Sequence, residues 1–269
     1  MKRSVVVVAA HPDDETFEAG GAILQAIASG DAVRVVVLTA GEAFRGNLSR
    51  EERLSLGRER LAEVRRATQT LGLPADRLHL LGLPDRSLSV LAALAEEPGS
   101  PGYLSPITGL DAVPYAEAYR PGLALSGDVV VSCLKEILAS AGATDVYAHH
   151  PLDDHPDHRG AYGLVAQTLR RLAGAPIGKD PVRLHLFLGY QDSLPGGWPP
   201  DGELFRPDQC ILRLGNAPAE EISLTPAQRR LKKEALAKFS GTHQRIMGAS
   251  KFAWYVERFA KGNEVFWVQ

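Results

Sequence analysis

The sequence predicts an α/β protein with a Rossmann-like, mostly parallel sheet, helices on both faces and a peripheral C-terminal lobe. Two observations predict this fold class. Short, nearly continuous apolar runs such as "SVVVVAA" (4–10) are typical of parallel strands that are covered on both faces. Longer stretches with the period of a helix alternate with these runs, as they do in doubly wound sheets. With 269 residues, 45% of them hydrophobic, the chain can bury one large core.

The individual elements follow from these two patterns. Five strands are predicted, at 4–10, 33–40, 77–83, 145–150 and 183–190. Four helices are predicted between them, at about 16–29, 50–72, 127–141 and 159–173. The helix at 50–72 is the clearest, because Ser49 and Glu52 stand at the spacing of a capping box and Gly72 follows as a terminator.

We expect the whole chain, 1–269, to form a single domain with a core of about 1–190 and a lobe of about 191–269. Two regions lack a regular period. Residues 93–127 are rich in glycine, proline, tyrosine and serine, and we expect a substrate-covering loop there, with a solvated insertion as the alternative. Residues 191–224 are also rich in proline and glycine and lead into a charged helix that begins near Thr225.

Composition argues against several classes of protein. The formal net charge is −2 and no long basic run occurs, so we expect neither a nucleic-acid nor a membrane partner. The two cysteines, Cys133 and Cys210, are far apart, which disfavours a disulfide framework and a thiolate zinc site. No stretch approaches the ~18 apolar residues of a membrane span, and "HPDDE" stands where a signal peptide would have its cleavage site. We expect a cytoplasmic protein, compatible with a homo-oligomer.

Acids and histidines follow two of the predicted strands. "HPDDE" (11–15) comes directly after the first strand, and "HHPLDDHPDH" (149–158) begins at the end of the fourth. Ligands of open α/β sheets bind beyond the carboxyl ends of the strands. If both strands are central and parallel, these two turns meet at the same edge of the sheet.

The residue types in these turns are those of a catalytic metal site. His11 and Asp14 are three residues apart in one turn, and His158 can supply a third ligand from the other turn. Two imidazoles and one carboxylate, with a position left for water, form a Zn²⁺ pattern, although another divalent metal is compatible with it. Such an ion would polarise a carbonyl and lower the pKa of water.

Three further residues suit the accompanying acid–base chemistry. Asp13 is the candidate that takes the proton of the water. His155 is the candidate for stabilising an oxyanion and protonating a leaving group, and Asp157 could hold its imidazole in the charged form.

Each pattern also has a simpler explanation. The acids of "HPDDE" could cap a helix, and "HPDH" could be an exposed polar loop. His149 and His150 are more typical of packing or support at a strand end than of ligands. The other histidines are expected to be structural: His79, His185 and His243.

The paired motifs "AHPDDE" and "HPDH" resemble those of the LmbE-like (PIG-L-type) N-acetylglucosaminyl deacetylase family. Three more stretches agree: "LTAGEA" (38–43), "RLAEVRRATQTLGL" (60–73) and "LGLPD" (81–85). The resemblance covers about residues 4–172. It implies a Rossmann-like fold and a Zn²⁺-dependent hydrolase that removes the N-acetyl group from a small N-acetylglucosamine-type conjugate.

The resemblance also implies residue roles. The metal ligands are His11, Asp14 and His158, and Asp13 is the general base. His155 is the oxyanion-stabilising acid with Asp157 as its partner. Substrate-binding roles fall to Arg60, which matches a family arginine that faces the substrate, and to Asp85.

This sequence departs from the family in two places. The family often carries an Ala-Leu…His-x-Ser-Gln pattern on its last helix, whereas "EALAKFSGTHQ" has Phe239 at the expected histidine and Thr242 at the expected glutamine. Residues 93–127 are also longer than the family pattern implies. These differences concern the substrate more than the core chemistry.

Three other functions are weighed beside deacetylation of an amino-sugar conjugate. The same metal site could hydrolyse another acylated amine or an ester. A dinucleotide-binding oxidoreductase would need a glycine-rich first turn, but "HPDDE" occupies that place and its acids would repel a pyrophosphate. A binding or scaffolding protein with a degenerate site is the third, although every expected polar residue is present.

Overall fold

The computed structural model describes residues 2–43, 46–97, 99–173, 181–189, 202–205 and 220–269. Its strands are β1 (Ser4–Ala9), β2 (Ala32–Thr39), β3 (Leu78–Leu83), β4 (Asp145–His149), β5 (Arg183–Phe187), β6 (Glu220–Ser223) and β7 (Asn263–Val268). The first five lie where the apolar runs predict them, with ends that agree or differ by at most three residues.

The described helices are α1 (Asp14–Ala28), α2 (Arg50–Thr70), α3 (Leu88–Ala95), α4 (Gly127–Ala141), α5 (Pro156–Ala173), α6 (Pro226–Leu236), α7 (Ser240–Met247) and α8 (Ala249–Phe259). Short 3₁₀ turns precede β3 and α7, at Ala75–Arg77 and Ala237–Phe239. No helix within the described ranges has the length and hydropathy needed to cross a membrane.

The sheet confirms the predicted fold class. Its strand order is β3-β2-β1-β4-β5-β7-β6, and the five strands from β3 to β5 are parallel. The chain runs outward from β1 to β3 and then returns to place β4 on the other side of β1. Because crossovers are right-handed, α1 lies on one face of the sheet and α4 on the other. The point where the order reverses, between β1 and β4, is where such sheets bind ligands.

The predicted capping box of α2 is present. The Ser49 hydroxyl accepts from the Glu52 amide at 3.2 Å, and the Glu52 carboxylate accepts from the Ser49 amide at 2.7 Å. Leu61, Val64 and Leu71 face the core, and Gly72 follows with a φ of +89°. Local sequence thus sets both ends of this helix.

The C-terminal lobe is less peripheral than its sequence suggests, because β7 hydrogen-bonds to β5 and extends the main sheet. A buried ion pair ties the lobe to α1. Lys232 Nζ lies 2.6 Å from the Glu264 carboxylate, and the same carboxylate accepts from the Gly21 and Ala22 amides at 2.6 and 2.9 Å. The carboxylate can approach because position 21 has no side chain; a Cβ there would lie 2.7 Å from it. This pair fixes the helix that begins with Asp14.

Residues 93–127 include the end of α3 at Ala95 and pack against the outer edge of the sheet, where the Tyr119 amide donates to the Leu80 carbonyl at 2.6 Å. Tyr115 is fully buried, while many other described residues of the segment are exposed. None of its described residues is among those that line the main cavity, and the substrate-covering role stays a prediction. The segment protects the edge strand β3.

Candidate active site

The two predicted turns meet at the carboxyl ends of β1 and β4, which are hydrogen-bonded neighbours in the sheet. The first turn is tight: the Asp14 carboxylate accepts from the His11 amide at 2.8 Å as α1 begins. Asp13 has a φ of 140°, a strained conformation for a residue with a side chain. Strain of this kind persists where the surrounding contacts hold a side chain in place, as they do for Asp13.

The three predicted metal ligands lie close together. Asp14 Oδ2 lies 3.1 Å from His11 Nδ1 and 3.4 Å from His158 Nε2. Tetrahedral ligands with bonds of ~2.0–2.2 Å lie about 3.2–3.6 Å apart, which these two separations approach. Two sets of side chains around them have donor atoms within 4.8 Å of one another and could also hold an ion: His11 with His155 and His158, and Asp14 with His149 and His158.

A second layer of side chains orients these donors. Asp153 Oδ1 lies 3.1 Å from His158 Nδ1, and its other oxygen accepts from the Gly189 amide at 2.8 Å. His149 accepts from the Ala10 amide at 2.9 Å through Nε2 and stacks on the His158 ring. Burial, followed by the charge of His158, lowers the pKa of His149 to about 4, so this ring is neutral. His149 therefore supports the site, as the sequence indicates, and a carboxylate–histidine pair of the type found behind zinc ligands is in place.

The electrostatics of the three donors favour a cation. Burial alone would lower the pKa of His158, but the Asp153 and Asp14 carboxylates outweigh it and hold that pKa well above its ordinary value. The same balance, with Asp14 as the main carboxylate, raises the pKa of His11. Burial would raise the pKa of Asp14, yet His158 and His11 hold it well below its usual range. The raised pKa values of His11 and His158 mean that their surroundings stabilise positive charge, and a divalent ion would supply such a charge.

One carboxylate oxygen of Asp13 contacts two side chains, those of Arg60 and His243. Its Oδ2 lies 3.0 Å from an Arg60 guanidinium nitrogen and 2.6 Å from His243 Nε2. Arg60 also donates to the carbonyls of Gly41 and Pro12 at 2.7 and 3.0 Å. A Cβ at Gly41 would lie 2.3 Å from that guanidinium, so the turn after β2 needs glycine. Because the contacts of Asp13 fall on Oδ2, Oδ1 is the oxygen that can face a water.

Sequence reasoning missed His243, which was expected to be structural. It lies on α7, and its ring is buried among Phe17, Phe239 and Phe252. The sequence does contain a signal: His243 follows Phe239 by four residues, one helical turn, so a histidine absent from the family position reappears a turn later. Its apolar surroundings hid this role.

His155 and Asp157 are close to the site but do not pair as predicted. The Asp157 carboxylate accepts from the Arg86 and Leu88 amides at 2.6 and 3.0 Å, and lies 3.4 Å from His11 Nε2. It fixes the loop after β3 against the metal-ligand turn. The partner of His155 Nδ1 is the Asp157 backbone amide, at 3.2 Å.

The charged form expected for His155 is disfavoured by its surroundings. Burial, helped by the nearby His11 and His158, lowers the pKa of His155 to about 4. Because Nδ1 accepts a hydrogen bond, the neutral ring carries its proton on Nε2. His155 is thus a neutral donor whose tautomer is set by the backbone.

Asp85 lines the cavity and also contacts His11 in the first turn. Its Oδ1 lies 3.5 Å from His11 Nε2, and its Oδ2 accepts from the Ala43 amide at 3.1 Å. Burial would raise the pKa of Asp85, but the hydrogen bond and charge of His11 lower it below its usual range. Of the two predicted substrate-binding residues, Asp85 contacts His11, a predicted metal ligand, and Arg60 contacts Asp13, the predicted base.

A cavity of about 300 Å³ opens over these residues. All eight residues predicted from sequence lie in or beside it, and seven line it; Asp157 stands behind His11. Four apolar or aromatic side chains also line the cavity: Phe17, Met247, Tyr255 and Phe259. The cavity therefore combines a polar reaction centre with a hydrophobic side.

Known deacetylases have sequences similar to this chain. The 1D-myo-inositol 2-acetamido-2-deoxy-alpha-D-glucopyranoside deacetylase of Nocardia farcinica (strain IFM 10152) is 31% identical over 219 residues. The match covers 72% of this chain and 66% of that protein, so the chain spans slightly less than two-thirds of its relative's length.

Solved structures share the fold. The A40926 pseudoaglycone deacetylase Dbv21 has a TM-score of 0.60 at 17% identity, covering 98% of this chain and 96% of that one. GalB, the 4-carboxy-2-hydroxymuconate hydratase of Pseudomonas putida KT2440, has a TM-score of 0.58 at 18% identity, covering 96% and 84%. At such identities the likeness concerns the fold alone, which serves a hydratase as well as a deacetylase.

The family comparison is more specific than the fold. The PIG-L family model, described as GlcNAc-PI de-N-acetylase, matches residues 6–169, which include both metal-ligand turns and Arg60. This match confirms the resemblance found in the paired motifs. The chain therefore belongs to the PIG-L (LmbE-like) de-N-acetylase family.

Proposed function

We propose that this protein is a zinc-dependent N-deacetylase that acts on N-acetylglucosamine-type conjugates. One observation carries the proposal. The turns at 11–15 and 149–158 are far apart along the chain, yet they converge so that Asp14 Oδ2 lies 3.1 Å from His11 Nδ1 and 3.4 Å from His158 Nε2. Asp13 stands beside them with one free-facing oxygen. Family membership and the deacetylase activity of the Nocardia relative support the same reaction.

The three donors, His11, Asp14 and His158, would hold the metal. When bound there, a zinc ion would polarise the amide carbonyl and lower the pKa of the attacking water. Other divalent ions fit the same donor set. Asp153 and His149 would keep the donors in place through the contacts described above.

The chain's own residues would then move the protons. Asp13 Oδ1 accepts the proton of the attacking water, while Arg60 and His243 hold the carboxylate through Oδ2. The His155 Nε2–H donates a hydrogen bond to the carbonyl oxygen as negative charge develops on it. The leaving amine takes its proton from Asp13, which has just received one, or from His155, the acid that the paired motifs imply.

Two variants test the assignments separately. Asp13→Ala should abolish acetate release while the protein keeps its zinc, because Asp13 is not a ligand. His158→Ala should lose zinc, measured by elemental analysis of the purified protein. His79→Ala is a matched control, since this histidine packs against Tyr119 at the far edge of the sheet. Full activity in Asp13→Ala, or full metal content in His158→Ala, would contradict the corresponding role.

The substrate class needs its own test. An acetate-release panel should compare N-acetylglucosaminides with other acylated amines and with esters. We expect the acetamido sugars to be the better substrates. Faster hydrolysis of unrelated amides or esters would instead support the alternative, a metal-dependent hydrolase that uses the same site on another acyl compound.

A further inference from the structure

The apolar side of the cavity comes largely from outside the region that the family model matches. Met247 lies on α7, and Tyr255 and Phe259 lie on α8; all three follow residue 169, where the match ends. Phe17 of α1 completes the surface. We call these four side chains the aromatic wall. Three of the four side chains of the wall therefore belong to the C-terminal lobe, while the predicted metal ligands belong to the region that the family model matches.

The aromatic wall is a fixed surface. The Phe17 and Phe259 rings meet edge to face with centroids 5.1 Å apart, and Tyr255 runs nearly parallel to Phe259 at 6.5 Å. Phe17 is 7% exposed and Phe259 4%, so both are set by the core. Tyr255 and Met247 are half-buried, which leaves parts of their surfaces turned to the cavity.

A polyhydroxylated group would gain little binding free energy from contact with the aromatic wall. Each hydroxyl that leaves water needs a new hydrogen-bond partner, and an unmade bond is costly. The aromatic wall offers the Tyr255 phenol as its one polar side-chain group. An aromatic or other apolar group would instead gain from hydrophobic burial, from ring–ring contact and from contact with the Met247 thioether.

We propose that the aromatic wall is a subsite for an apolar aglycone, so that the enzyme prefers N-acetylglucosaminides with an aryl group to those with a polyol. The inference rests on the proposed deacetylase function, because that function places the acetamide at the reaction centre, in the same cavity as the wall. It goes further in naming the part of the substrate that the C-terminal lobe selects.

The test compares kcat/KM for acetate release from phenyl, methyl and myo-inositol N-acetylglucosaminides of the same anomer. We expect the phenyl substrate to exceed the inositol substrate at least tenfold. Tyr255→Ala should lower kcat/KM for the phenyl substrate about tenfold and leave the methyl substrate within about twofold, a loss typical of one apolar contact. Met247→Ala, at the other half-buried position, should also lower kcat/KM for the phenyl substrate relative to the methyl substrate. This variant repeats the test if Tyr255→Ala folds poorly.

Trp254→Ala is the matched control, because Trp254 neighbours Tyr255 on α8 but is 46% exposed and lies outside the described cavity lining. Equal losses on all three substrates in Tyr255→Ala would overturn the proposal, since they would indicate contact with the sugar or the acetyl group. So would faster hydrolysis of the inositol substrate by the unaltered protein.

A binding measurement separates this inference from the deacetylase proposal. If no acetamido sugar releases acetate, the proposed function fails, but calorimetry with phenyl glucosaminide still tests the subsite. Tighter binding of phenyl than of methyl glucosaminide, lost in Tyr255→Ala, supports it. Equal binding of the two compounds, or binding that Tyr255→Ala does not change, overturns it.

Discussion

Replacing His243 tests how the proposed base is held. His243 Nδ1 lies 3.0 Å from the Phe239 carbonyl, which only accepts hydrogen bonds, so this nitrogen carries a proton. Nε2 lies 2.6 Å from Asp13 Oδ2, and a second proton must lie between these two atoms. The contact is therefore a charge-assisted hydrogen bond to the carboxylate that takes the proton of the water.

The change we choose is His243→Leu, which removes the polar atoms but preserves apolar packing. The ring is buried beside Phe17, Phe239 and Phe252, so a leucine fits its surroundings. A hydrogen bond to a charged group contributes about 1.5–3 kcal/mol, and each ~1.4 kcal/mol corresponds to a tenfold change in rate. Because Arg60 still holds Asp13 at 3.0 Å, we expect kcat to fall on the order of 10–100-fold rather than to vanish.

The assay is steady-state acetate release with zinc content measured on the same samples. KM should change little, because His243 acts through Asp13 and not on the metal ligands. Gln244→Ala, at the exposed neighbouring position, should behave like the unaltered protein. His243→Ala should recover part of its kcat when imidazole is added, since His243 lines the cavity and the small ring can enter the space it leaves.

Three results would refute this reasoning. A kcat within twofold of the unaltered protein would show that Arg60 alone holds the base. Loss of zinc would show that His243 supports the metal site instead. A purely structural role would lower the yield or stability of both His243 variants without any rescue by imidazole.

The remaining predictions concern stability. Lys232→Met should lower the free energy of unfolding by about 3–5 kcal/mol in urea denaturation, because it leaves the Glu264 carboxylate buried without its cation. Ser49→Ala should cost about 1 kcal/mol by removing the Ser49–Glu52 capping box, a change visible as a lower midpoint. Glu42→Gln should become more stable relative to the unaltered protein between pH 5 and pH 9. Burial, followed by the charge of Asp85, raises the Glu42 pKa from 4.5 to about 8, so its favourable neutral form is lost as the pH rises through about 8.

The sequence alone determined the parts of this protein that follow from local patterns. Apolar runs and helical periods located the five parallel strands and four of the five described helices between them, and they missed only the short α3 (Leu88–Ala95). Ser49 and Glu52 marked the start of α2 through bonds between residues three apart. The two polar turns could be expected to meet, because parallel strands that are central in a sheet end at the same edge.

Only the tertiary structure decided which side chains of distant segments touch. His243 reaches Asp13 across 230 residues, and Asp157 binds the backbone at Arg86 and Leu88 rather than the His155 ring. The Asp157 contacts leave no period or spacing in the sequence, and the one-turn spacing of Phe239 and His243 does not identify Asp13 as the partner. Residue spacing reports the geometry of one helix, strand or turn, whereas a hydrogen bond between elements depends on how whole faces pack, and many alternative pairings of the same polar residues are compatible with one sequence pattern.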